Sequence, residues 1–167
     1  RLFTITNCIM TSLRAAIRIG MLSTGDFYGI TVDNCVFHDI NDAAIKIQMN
    51  EGGKMDGMQF SNLIFKDVIS AVFMTFNNYT VYVDGPPEPA PLQSMKNFRF
   101  SNFQITAKTN PKEIAKPLIM LTGLPGHPIE NVTFSNIAIM AQGGGSVADG
   151  AIRSIHALAR VRPEFTQ

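Results

Sequence analysis

One short pattern recurs along the chain, an apolar–polar alternation that runs into an asparagine and resumes after it. It reads FTITNCIM around Asn7, ITVDNCVF around Asn34, MQFSNLIF around Asn62, FRFSNFQI around Asn102 and VTFSNIAI around Asn136. Alternation with period 2 is strand patterning, not a helical stripe. The asparagines stand 27, 28, 40 and 34 residues apart, and self-similarity at periods of this size marks a solenoid. The first four units are each followed by a second short run, AIRIG, AAIKIQ, AVFMTF and PLIML, so one repeat holds two strand segments separated by a polar corner. The stretch Gly29 to Met49 is the most complete example.

Composition limits what such a chain does. With 167 residues, 46 % of them apolar and 16 % charged, it fits one domain with a real core. A formal charge of +1 gives no basic face for nucleic acid. No apolar run approaches the roughly 20 residues that span a bilayer, and no basic segment leads into an apolar one as in a signal peptide. Nucleic acid and membrane are therefore not expected partners. The chain enters a strand directly after Arg1 and reads as a piece of a longer protein, so a missing leader says nothing about compartment. Its first coil would leave the end of a stack uncovered, which implies self-association through that end.

In chain order, Leu2 to Phe27 form a first coil, with strands through Ile5 and Ile9 and over Ala16 to Gly20. The second closes through Glu51-Gly52-Gly53, where glycines can take left-handed turns. The third carries an insertion from Asn77 to Met95 whose DGPPEPAP segment, with four prolines, forbids a ladder strand. The fourth has an excursion from Lys108 to Lys116, and the fifth follows GLPGHP and ends at Gly143-Gly144-Gly145. Coils thus occupy 1–145. The tail, 146–167, has helical spacing at Ile152, Ile155 and Leu158 or Ala159, which predicts a short helix capping the stack.

Alternation also predicts which side chains point outward. With Ile17, Ile19, Ile45, Ile47, Val72, Met74, Leu118 and Met120 inside, one external row holds Arg18, Lys46, Phe73 and Ile119. Gly20, Gln48, Thr75 and Leu121 make the row beside it. Like charges facing each other across rungs are unfavourable unless an anion is near. Either Asp26, Asp42 or Glu51 neutralises Arg18 and Lys46, or both lie solvated, or the pair receives a sugar carboxylate, for which Arg and Lys are the usual receptors.

The repeat asparagines are expected to stack with their amides inward. Cys8 and Cys35 fall on neighbouring rungs, about 4.8 Å apart, within reach of a disulfide. Parallel neighbours seldom present the required dihedral, so free thiols are the preferred reading. His38 and Asp39 read as a capped turn and His127 as part of a tight loop. These two histidines and His156 lack ligand spacing, so no metal and no cofactor are expected. GGGS at Gly143 lacks the strand-to-helix context of a phosphate cradle and reads as a turn.

The run TITNCIM, then AAIRIG, then AAIKIQ, with GLPGHPIENVTFSNI and the closing GGG, resembles the later coils of a right-handed parallel β-helix of glycoside hydrolase family 28, the polygalacturonase-like type. The resemblance covers roughly Thr4 to Gln142 and implies about five coils. In that family a Gly-His-Gly motif leads into a strand ending Ile-Gly, and an Arg-Ile-Lys motif follows one coil later. RAAIRIG and AIKIQ stand in those places. The histidine position falls on Ala15, with Arg14 and Ala16 where the glycines would be, and the Arg-Ile-Lys positions fall on Lys46, Ile47 and Gln48. The resemblance thus implies Arg14, Arg18, Lys46 and Gln48 as substrate-binding residues, an acidic polysaccharide as partner, and an extracellular or periplasmic setting. The family's catalytic aspartates precede Gly-His-Gly and are expected upstream of Arg1; Asn41-Asp42 before AAIKI is one residue out of register with an Asp-Asp strand. Two functions follow: the substrate-binding part of a pectin-directed glycoside hydrolase, itself without the catalytic acids, or a non-catalytic binding or structural β-helix of the tailspike or adhesin sort.

Overall fold

The computed structural model describes residues 2–20, 23, 25–49, 52–76, 94–108 and 117–141, which form strands and turns with no helix among them. In chain order the strands are β1 (Phe3–Thr6), β2 (Ile9–Ser12), β3 (Ile17–Ile19), β4 (Phe27–Tyr28), β5 (Ile30–Ile40), β6 (Ala43–Met49), β7 (Lys54–Val68), β8 (Ser70–Phe76), β9 (Ser94–Ala107), β10 (Ile119–Thr122) and β11 (Ile129–Met140). They build two sheets whose pairings are all parallel. The seven-stranded sheet runs β1-β5-β7-β9-β11, with β2 also on β5 and β4 on β7, and the four-stranded sheet runs β10-β8-β6-β3. From β5 onward the chain alternates between the sheets, so each pair of strands adds one rung to each.

Asparagine lets the long strands turn without leaving their ladder. Asn7, Asn34, Asn62, Asn102 and Asn136 all have φ between 52° and 57°, in the left-handed region where Asn is several-fold enriched among non-glycine residues. The register places them one above another, with Asp33 opposite Ser61 and Ser101 opposite Ser135 on the preceding positions. Nδ2 of Asn34 donates to Oδ1 of Asn7, Asn102 to Asn62 at 2.9 Å, and Asn136 to Asn102 at 2.8 Å. The expectation of inward amides is overturned, because Asn34, Asn62 and Asn102 are exposed. The ladder is also broken once: Asn62 donates to Oδ1 of Asp33 at 2.8 Å, where Ser61 donates as well.

Two further left-handed columns were not read from the sequence. Gly29, Gly57, Asn97 and Asn131 form one, tied by hydrogen bonds from Asn131 to Asn97 and from Asn97 to Asp56, both 2.6 Å. Asp39 and Asp67 form the other. Gly53, expected to turn left-handed, has no positive φ. It is needed because a Cβ there would sit 2.5 Å from the carbonyl oxygen of Gly25.

Between corners, alternate residues point inward and stack as columns at the rung spacing of about 4.8 Å. The rings of Phe60 and Phe100 lie 5.1 Å apart and nearly parallel, and Phe134 continues the stack at 4.7 Å. Phe37, Phe65 and Phe103 fill the next corner. Fully burying one such ring contributes about 1.5–3 kcal/mol, so the aromatic columns dominate the core. Ile17, Ile45 and Val72, then Ile19, Ile47 and Met74, supply the facing wall.

On the fourth rung of the smaller sheet the expected phase is wrong. Ile119 pairs with Val72 and Leu121 with Met74, and both pack against the core, as Leu118 before the strand does; Met120 falls in the outward row above Phe73, where it is nonetheless buried. A shift by one residue exchanges the faces of a strand. The insertion expected from Asn77 to Met95 ends earlier, since Ser94 and Met95 already belong to β9. Its other residues, the Lys108–Lys116 excursion beyond Lys108, the closing glycines and the predicted helix of 146–167 lie outside the described residues.

Candidate functional site

The outward face of the four-stranded sheet brings together the residues that the sequence singles out. Arg18 is the cross-strand partner of Lys46, Lys46 of Phe73, and Phe73 of Met120; in the row beside it Gln48 partners Thr75, and Thr75 partners Thr122. Arg18 donates from Nη2 to Oε1 of Gln48 at 3.4 Å. Three of the four expected binding residues therefore meet. The fourth, Arg14, sits in the corner between β2 and β3, where its backbone N–H donates to Oγ of Ser12 at 3.0 Å.

Lys46 does not stand open toward solvent. Its Nζ lies 2.6 Å from Oδ2 of Asp42, four residues earlier in the corner just before β6, and 5.3 Å from the centroid of the Phe73 ring. Of the three acids weighed from the sequence, Asp42 is thus the one that neutralises Lys46. Asp26 is engaged elsewhere, since its carboxylate accepts the backbone N–H of Lys54 and the hydroxyl of Tyr28, both at 2.8 Å. Those two bonds hold the Asp26 carboxyl below its ordinary value, and the hydrogen bond to Asp26 raises the Tyr28 phenol. Glu51 lies outside the described residues.

Burial divides this face. Lys46, Gln48 and Thr75 are each 5 % exposed or less, whereas Arg18 is exposed. The outward row predicted at Lys46 and Gln48 is therefore not open to solvent at those rungs. Thr75 satisfies its hydroxyl on the carbonyl of Phe76 at 2.8 Å, while the buried hydroxyl of Thr122 has no hydrogen-bond partner. Arg18 reaches the end of the stack instead, beside a cavity of about 640 Å³ lined by Ile5, Met10, Ile17 and Ile30 with Arg18 and Asp26. An exposed guanidinium beside apolar walls can hold a carboxylate in the bidentate manner that guanidinium geometry favours.

The other expectations resolve as structural features. His38 Nδ1 lies 2.8 Å from Oδ2 of Asp39, which turns the corner at φ 53°. That bond, with Lys108 and Lys66 nearby, holds the Asp39 carboxyl below its usual range. His127 closes a tight loop through paired backbone hydrogen bonds with Leu124 at 2.8 and 3.0 Å. Both cysteines are free thiols; Cys35 is buried, and burial pushes its thiol pKa up. Among the described residues no three His, Cys, Asp or Glu side chains converge as a metal would require, and no helix is long and apolar enough to cross a membrane.

Reading the sequence alone left the partner of Lys46 undecided and missed how deeply Lys46 and Gln48 are buried. The only sequence trace of the first point is the i, i+4 spacing of Asp42 and Lys46. The chain matches no protein-family model, no curated protein and no solved structure.

Proposed function

We propose that the chain is part of a right-handed parallel β-helix of the polygalacturonase-like kind and acts as the substrate-binding part of a glycoside hydrolase directed at a pectin-like acidic polysaccharide. Support for the helix comes from the parallel pairing, the alternation of successive strands between two sheets and the stacked asparagine corners. The observation that carries the binding reading is Arg18. It is exposed on the outward face, oriented by Gln48, and one rung from Lys46, whose charge Asp42 already balances. Arg18 is the cation that meets a uronate, and Lys46 shapes the rung behind it.

Inverting hydrolysis uses one carboxylic acid on the leaving oxygen and one carboxylate on water. The family's aspartate motifs match no position in this sequence, so the chain is expected to bind without cleaving. Its setting, by the same resemblance, is extracellular or periplasmic. A charge-assisted hydrogen bond to a carboxylate contributes about 1.5–3 kcal/mol, and such a contact weakens with salt. Calorimetry at low salt should show an acidic oligosaccharide bound tenfold or more weakly by Arg18→Ala, with a neutral oligosaccharide unaffected. The Lys46–Asp42 pair is the observation that favours a second reading, a non-catalytic structural or binding β-helix. Equal affinity of wild type and Arg18→Ala for the acidic sugar would decide for it.

A further inference from the structure

Two sulfurs on adjacent rungs stand at the spacing of a metal bridge, and we propose that Cys8 and Cys35 bind one Cu(I) ion between them, in line along the stack. Register puts the two cysteines side by side: Thr6 pairs with Asp33 and Ile9 with Val36, so Cys8 stands on Cys35. Their local geometry is the same. Each follows a corner asparagine, Asn7 at φ 56° and Asn34 at φ 52°. Each thiol also donates to the carbonyl two residues before it, Cys8 to Thr6 at 3.3 Å and Cys35 to Asp33 at 3.2 Å. One side chain is therefore a copy of the other, translated by one rung, about 4.8 Å.

That offset selects among the things two cysteines can do. A disulfide needs its sulfurs about 2.05 Å apart and its dihedral near 90°, and translated copies supply neither. A metal–thiolate bond is about 2.3 Å long, so two such bonds in line span one rung. Thiolate sulfur selects soft ions, Cu(I) among them, and Cu(I) accepts two thiolates in a line. Zn(II) takes four ligands, and among the described residues no third His, Cys, Asp or Glu joins the pair.

The surroundings suit a soft ion. Cys35 is buried, and its column continues through Leu63 and Phe103 to Ile137, apolar walls that keep water and oxygen ligands away. The backbone N–H of Cys8 lies 3.5 Å from Sγ of Cys35, aimed at a sulfur that carries charge once the ion is bound. Binding breaks both S–H bonds, forms two Cu–S bonds and releases two protons to solvent, with no change of oxidation state. Both rungs belong to this chain, so the inference uses neither end of the stack, and it is independent of the carbohydrate reading.

Anaerobic titration of the reduced 167-residue chain with Cu(I), in competition with a chromophoric Cu(I) chelator, should give one tightly held ion per chain. X-ray absorption should place two sulfurs about 2.3 Å from the copper, with no nitrogen or oxygen neighbour. Cys8→Ser and Cys35→Ser should each weaken binding a hundredfold or more, and Zn(II) should not displace the copper. The X-ray absorption of the wild-type chain carries the test should a serine variant fail to fold. Binding unchanged by either substitution would put the copper on methionines and overturn the proposal. Ready closure of a Cys8–Cys35 disulfide by oxidised glutathione, read from the intact mass, would overturn it too, because the sulfurs would not then be held one rung apart.

Discussion

The two sheets share one alternation and treat it differently. On the larger sheet the outward side is wet, with hydrogen-bonded asparagines at exposed corners and Gln59, Arg99 and Gln104 on its surface. On the smaller sheet β6 is buried from end to end, Lys46 and Gln48 included. Parallel sheets are commonly covered on both faces, and the smaller sheet follows that rule while the larger does not. A cation on the larger sheet is a solubility feature. On the smaller it must be partnered, as Lys46 is by Asp42 and the Phe73 ring.

The largest expected effect separates the two faces directly. Removing one partner of a buried ion pair leaves an uncompensated charge and costs 3–5 kcal/mol; with Asp42 17 % exposed, Lys46→Ala should lose about 3 kcal/mol by urea denaturation. Lys66→Ala, exposed on β7, should stay within about 0.5 kcal/mol. Similar losses for the two would erase the distinction between a dry and a wet face.

A smaller effect sharpens what holds the wet face together. Asn102→Ala loses amide bonds on both sides and places a Cβ residue at φ 57°, which should cost about 2 kcal/mol in all. Asn102→Gly relieves the backbone and loses only the amides, so about 1 kcal/mol should remain. If glycine proves no better than alanine in thermal melts, the asparagines are there for their side chains and not for their backbone.

Those corners were legible because the need for φ > 0 selects the residue type, and one type recurs five times. The second and third left-handed columns use Gly29, Gly57, Asn97 and Asn131, then Asp39 and Asp67. Three residue types satisfy the same backbone demand, so no repeat shows in the sequence. The fourth rung failed for a different reason. PLIML is apolar at four consecutive positions, and alternation carries no facing information where both phases are apolar. For Lys46 and Gln48 the face was right and the burial was not, because a strand pattern says which side a residue takes and nothing about what lies over it. Arg18, placed beside Lys46 from the spacing alone, is where the sequence reading and the geometry agree most closely.

Central to this account is that both sheets are stacks of parallel rungs, with the phase of the fourth rung of the smaller sheet set by Ile119 and Leu121. Methyl-to-methyl nuclear Overhauser effects on a chain labelled at Ile, Leu, Val and Met read the register rung by rung. Cross-peaks should link Ile17 to Ile45, Ile45 to Val72 and Val72 to Ile119, and in the neighbouring column Ile19 to Ile47, Ile47 to Met74 and Met74 to Leu121. Cross-peaks from the Met120 methyl to Val72 or Met74 in place of those from Ile119 and Leu121, or no links between successive rungs, would contradict it.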